Sequence, residues 1–239
     1  MKAYLQSING YEAAIAALHE SKRTYSEEMM QEVNDIVADC TDRYGKVIKT
    51  DNEKFNNWVR IVCSWGKTHI TLLSFIDITC MVFGLHRAGQ DDWDAHAKRY
   101  DNRIIRMSTR IKNNIVKCNE MSDYYKGKIL TMDQVLNITG LKPPEEIVYM
   151  GKKYIKTING YILEEEYNNP DVQRGLYMLS IPSNFVFKVN LKEFAHVYKE
   201  RGIHGTANPE VKELAESIAD QIQEYCSYFT RELLMEIKN

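Results

Sequence analysis

The chain has 239 residues, of which 27% are charged, with a formal net charge of −2 at pH 7. This length can bury one substantial core, so a single domain over residues 1–239 is expected. There is no basic excess for sequence-independent nucleic-acid binding and no apolar run of membrane-spanning length, so neither nucleic acid nor a membrane is an expected partner. The most apolar stretch, 70–85, is interrupted by Asp77. The first ten residues lack the apolar core of a signal peptide, and the expected localisation is cytoplasmic. Cys40, Cys63, Cys80, Cys118 and Cys226 are scattered, odd in number and form no C-x-x-C. Buried or free thiols are expected rather than a metal site or a disulfide framework.

In chain order, residues 3–8 suit an edge strand closed by the turn pair Asn9-Gly10. Residues 11–22 form a helix with Ala14, Ile15, Ala17 and Leu18 on one face. Ser26-Glu27-Glu28 opens a second, running to about residue 44 with Met29, Val33, Ile36 and Val37 inward. Residues 51–65 form a third. Residues 69–77 read as a buried strand passing into a helix that ends near His86-Arg87, where the helix dipole would favour the cations. Residues 103–127 read as helix, with Ile104, Ile105, Met107, Ile111 and Ile115 apolar. Thr131 caps a short helix through Ile138, ended by Gly140. Residues 149–164 form a hairpin turning at Asn159-Gly160.

The most informative stretch is 185–211. Phe185, Phe187 and Val189 alternate with Val186 and Lys188, a strand pattern. At Asn190 the period changes: Leu191, Phe194, Val197 and Tyr198 share one helical face. Asn190 is a fit N-cap, with Glu193 three residues on, and Gly202 ends the helix. The polar face carries Lys192, His196, Lys199 and Arg201, and a small-residue loop holding His204 comes next. Pro209, behind Asn208, opens a helix over 210–238 with Val211, Leu214, Ile218, Ile222 and Tyr225 on a stripe. Gathered donors and cations of this kind suit an anionic or planar polar ligand, though such a charge run is as readily a solvated face.

The run N-L-K-E-F-A-H-V-Y-K-E-R-G-I-H-G-T-A-N-P-E-V-K-E-L-A resembles the C-terminal signature of the flavin-dependent thymidylate synthases. That family reads N-x-R-x-F-x-x-F-x-x-x-R, then H-A-Q-x-E-I-R-x-x-A. Asn190, Phe194, Arg201, His204, Ala207, Glu210 and Ala215 match; Lys192 and Asn208 stand where Arg and Gln are usual. Upstream, His69, His86 and Arg87 match a Glu-His turn and an R-H-R element, with Thr68 and Leu85 as departures. Arg99-Tyr100 match the end of a Glu-x-Ser-x-Arg-Tyr element, but Ala95 and Ala97 replace its acid and its serine. Gln90, Asp91, Asp92 and Asp94 make this stretch acidic. Arg174 matches a nucleotide-contacting arginine 16 residues before Asn190. The departures suit a divergent member of the kind a virus or phage carries.

The resemblance implies an α+β fold, a mixed sheet with a helical layer, assembled as a homotetramer with FAD sites between subunits. It implies methylation of dUMP to dTMP, with methylenetetrahydrofolate as carbon donor and NADPH as reductant. By position, His69, His86, Arg87, Asn190, His196 and His204 would contact flavin or folate. Arg99 and Arg174 would hold the nucleotide phosphate. Arg201 would sit on the pyrimidine and stabilise charge developing there. The departures keep two alternatives open: a homologue that modifies another pyrimidine nucleotide at carbon 5, for example by hydroxymethylation, and a non-catalytic flavin- or nucleotide-binding homologue.

Overall fold

The structure is a computed structural model, and it describes residues 1–96, 103–107, 122–128, 130, 132–157, 160–169, 179–203 and 207–238. The chain forms two compact units. The larger comprises Lys2–Phe83, Gly89–Ile105 and Phe185–Asn239; the smaller comprises Met1, Gly84–Ala88 and Arg106–Asn184.

The larger unit opens with strand β1, Lys2–Asn9, followed by helix α1, Tyr11–Ser21, which buries Tyr11, Ala14, Ile15 and Leu18. Between them Gly10 adopts φ +97°, and a Cβ there would fall 1.9 Å from the Phe75 carbonyl oxygen. Only glycine fits both constraints. Helix α2, Glu27–Cys40, is capped by Ser26, whose hydroxyl accepts from Met29 N at 3.2 Å. It stops short of the expected residue 44. Thr41 turns extended to bridge Val47, and the Asp42 carboxylate accepts from the Tyr44 and Lys46 amides, so the chain folds into a tight side-chain-supported turn. Helix α3, Glu53–Gly66, is capped by Asn52.

The next stretch reverses the expected order. A 3₁₀ turn, Leu72–Phe75, leads into strand β2, Asp77–His86, and helix α4, Arg87–His96, starts where a helix end was expected. Ile78, Cys80 and Val82 are fully buried, whereas Phe83 is exposed. The run is so apolar that its period of two is hard to see in sequence. Pairing with β1 decides it: Ile8 faces Ile78 and Leu5 faces Cys80 in an antiparallel ladder. Arg87 therefore opens a helix, where the dipole does not favour a cation.

Strand β3, Arg103–Arg106, replaces the start of the helix expected over 103–127, and residues 122–128 are turns rather than helix. Adjacent β-branched Ile104 and Ile105 fit a pleated strand better than a helix. Ile111 and Ile115 lie outside the described residues. The main sheet has the order β1-β2-β7-β3, where β7 is Pro182–Asn190, so β1 is an edge as expected.

In the smaller unit, helix α5, Met132–Thr139, ends at Gly140 with φ +72°; its expected cap, Thr131, lies outside the described residues. A second sheet joins strands β4, Glu146–Tyr149, β5, Lys152–Thr157, and β6, Gly160–Leu163, all antiparallel. Thr157 pairs with Gly160, the register the Asn159-Gly160 turn implies, although 158–159 lie outside the described residues. Strand β4 was not expected. It turns into β5 through Met150 and Gly151, both at positive φ, the geometry of a two-residue hairpin loop.

The C-terminal part of the larger unit carries helix α6, Leu191–Val197, helix α7, Pro209–Tyr225, and helix α8, Arg231–Glu236. The single helix expected over 210–238 breaks at Cys226, which turns extended. The turn drops Phe229 into the core, fully buried and stacked on Tyr11 at 5.8 Å. Thr230 then caps α8. The described ladders are antiparallel and helices pack beside them, an α+β architecture. Cys40, Cys63, Cys80 and Cys226 are free and buried; Cys118 lies outside the described residues.

Candidate functional site

Strand β7 sends Phe185, Phe187 and Val189 inward and Val186 outward, as its alternation requires. At its end Asn190 Oδ1 accepts from Glu193 N at 2.9 Å, and Leu191 N donates to the Ile76 carbonyl at 2.7 Å. The first turn of α6 is thereby fixed at the strand end, and the helix buries Leu191, Phe194, Ala195 and Val197. The expected helix to Gly202 changes form after α6. Tyr198–Ile203 is a π-helical turn, which inserts a residue and rotates the chain beyond it. Gly202 lies buried within this turn; a Cβ there would come 2.8 Å from the Tyr198 ring.

Arg201 projects from the π turn. Its Nη2 lies 2.9 Å from Asp92 Oδ1 on α4, and its Nη1 donates to the Glu200 carbonyl at 3.3 Å. The side chains are 18% and 32% exposed, so the pair sits at a rim, half-shielded from water. The residue after Asp92 anchors it. Trp93 is 1% exposed and packs against Phe187 at 5.3 Å and Phe194 at 6.4 Å. The acidic stretch of α4 thus supplies a carboxylate partner to Arg201. Asp92 is legible as a charge in sequence, but its pairing across 109 residues is not.

His196 sits half-buried in the last turn of α6. Lys199, on the π turn, donates from Nζ to the Ile237 carbonyl, and burial holds its pKa below the usual lysine value. Asn190, His196 and Arg201 are thus carried by one continuous strand–helix–turn segment.

His69 lies just before the 3₁₀ turn Leu72–Phe75 of the larger unit. Its amide donates to the Trp65 carbonyl at 2.7 Å, and its ring lies 6.0 Å from the Trp65 ring. It borders a groove of about 580 Å³ lined by Ala17, Ser21, Trp65, His69, Leu72 and Phe75 among others. Trp65 and Phe75 expose 37% and 43% of their surface there, and Lys22 Nζ stands 4.6 Å over the indole. This aromatic groove has a sequence signal in retrospect: a helix ending in Trp-Gly beside His69, followed by a short turn ending in Phe75.

In the smaller unit, His86 is 1% exposed, edge-on to Tyr125 at 4.9 Å and stacked beside Tyr124 at 6.4 Å. Arg87 N donates to the Ile181 carbonyl at 3.0 Å. Arg99, Arg174 and His204 lie outside the described residues. Burial pushes the Cys63 and Cys80 thiols well above their usual value, and Cys226 up to about 11, so these three are not activated nucleophiles. Among the described residues, no helix is long and apolar enough to cross a membrane.

No protein-family model and no curated protein matches the chain in sequence. Solved structures do match it in shape. One is thymidylate synthase X from Helicobacter pylori, crystallised with FAD and dUMP: TM-score 0.57 at 13% identity, over 98% of this chain and 100% of that one. A second crystal structure, of flavin-dependent thymidylate synthase from Helicobacter pylori with FAD and dUMP, gives a TM-score of 0.55 at 12% identity over the full length of both chains. At these identities the likeness is one of fold.

Proposed function

We propose that this protein is a flavin-dependent enzyme that methylates dUMP to dTMP, using methylenetetrahydrofolate and NADPH. The observation that carries this reading is the fold likeness, over 98% of the chain, to an enzyme crystallised with FAD and dUMP. The motif residues around Asn190 and Arg201 agree with it independently. The reading includes one functional domain, a homotetramer and a cytoplasmic location.

The groove at His69 suits the cofactor's ring system. Trp65 and Phe75 offer aromatic faces, and the His69 imidazole offers a polar contact at the rim. FAD, once reduced by NADPH, would supply the hydride that completes the methyl group. His86, Arg87, Asn190, His196 and His204 are assigned as further flavin or folate contacts, and Arg99 and Arg174 as phosphate ligands. Asn190 also holds α6 on the end of β7, so its loss would move the whole polar face. Arg201 orients the pyrimidine, and its N–H groups stabilise negative charge developing on the ring by donating hydrogen bonds to it, a preorganised role.

The visible absorption spectrum with and without added FAD, followed by dUMP turnover, tests this reading. Arg201→Ala should lower turnover by about 10²–10³-fold with flavin retained; unchanged turnover removes the assignment. A second reading, modification of another pyrimidine nucleotide at carbon 5, is favoured by Ala95 and Ala97 and by the carboxylate on Arg201. Preference for another nucleotide in a binding panel would select it.

A further inference from the structure

The pairing of Arg201 with Asp92 goes beyond any role assigned above. Both partners are held by their backbones. Arg201 rides on a π turn whose Gly202 packs against Tyr198 and Ala215. Asp92 precedes Trp93, which is wedged between Phe187 and Phe194. The contact of 2.9 Å is therefore set by the core rather than by two wandering surface side chains. At 18% exposure, Arg201 is still reachable from solvent.

A guanidinium beside a carboxylate is a dipole, not a net charge. It attracts a doubly charged phosphate far less than a lone arginine does, because the carboxylate repels what the guanidinium attracts. An uncharged carbonyl edge loses much less, since it needs an N–H donor and not a field.

We propose that Asp92 is a specificity-determining positioning residue: it neutralises Arg201 so that this position accepts the uncharged edge of the pyrimidine and disfavours the phosphate. This rests on the nucleotide reading above.

The test uses the full-length protein, Asp92→Asn and, as the charge-conserving variant, Asp92→Glu. Titration calorimetry with dUMP and with deoxyuridine, at several salt concentrations, reads the selectivity. Asp92→Asn should raise the dUMP-to-deoxyuridine affinity ratio at least threefold and steepen the salt dependence for dUMP alone. Asp92→Glu should return the ratio toward wild type. An unchanged ratio in Asp92→Asn overturns the proposal. Peptide-mapped modification of Arg201 by phenylglyoxal gives a second readout that needs no nucleotide. Modification should run at least threefold faster in Asp92→Asn and not in Asp92→Glu; equal rates in all three proteins overturn the pairing itself. If the wild type binds neither dUMP nor deoxyuridine, the functional reading falls and the selectivity with it, while the labelling rates still judge the pair.

Discussion

Helices α5 and α6 are eight and seven residues long, and both carry several large apolar side chains. Their fates differ. In α6, Leu191, Phe194 and Val197 are fully buried. In α5 no residue is buried, and Met132 and Ile138 are 67% and 73% exposed. Helices this short gain little from propensity, so burial is what holds them. Helix α6 is fixed at both ends, by the Asn190 cap and the π turn, and its Phe194 packs against Trp93. Helix α5 ends at the Gly140 turn and buries no side chain of its own. The contrast matters for function because Arg201 hangs from the well-buried segment, where a side chain can be held to a fixed geometry.

The largest expected effect that bears on this contrast is Phe194→Ala, which should cost about 3–5 kcal/mol, whereas Ile138→Ala should stay within about 0.5 kcal/mol. Urea midpoints at constant m-value measure both. A large cost at Ile138 would break the comparison and show that α5 is covered in the assembled protein. Next come two glycines at positive φ. Gly140→Ala meets nothing within 4 Å and should cost only the left-handed strain, about 1–2 kcal/mol. Gly10→Ala adds a collision with the Phe75 carbonyl and should cost clearly more in the same assay. Equal costs would mean that the turn at Gly10 yields.

Asn190→Ala sharpens the comparison at the join of β7 and α6. Losing the cap should cost about 1 kcal/mol and lower turnover more than Ser26→Ala, which removes a similar cap on α2. The smallest effect is a pH dependence at His19. Burial first, and Lys22 second, hold its pKa below 6.5. The unfolded chain therefore binds this proton more readily than the folded one. The contribution to stability is complete above about pH 6.5 and is lost as pH falls below it. Denaturation midpoints between pH 7.5 and 5 should decline less in His19→Gln; parallel curves would remove the assignment.

Much of the segment from Phe185 to Tyr225 was legible in the sequence. Two clean periods, of two and then near 3.6, meet at one capping residue, and Pro209 follows a second. Local chemistry specifies such features, because caps and alternation act over four residues or fewer. The three N-terminal helices were legible for the same reason. Elsewhere the local signal failed. Residues 77–86 are too apolar for a period to show, and only the ladder with β1 makes them a strand. The helix over 210–238 kept its stripe through Tyr225, but the burial of Phe229 against Tyr11 broke it.

The α+β class came with the family resemblance; local pattern was enough for the three N-terminal helices and for the capped strand-to-helix switch at Asn190. Each depends on neighbours a few residues away. Long-range packing decided the order of strand and helix around His86, the π turn beneath Arg201 and the ion pair that links Arg201 to Asp92. Those depend on which distant segments share a core, and Trp93, Phe187 and Phe194 bring Asp92 to Arg201 because their rings pack there, not because any local pattern joins the two charges.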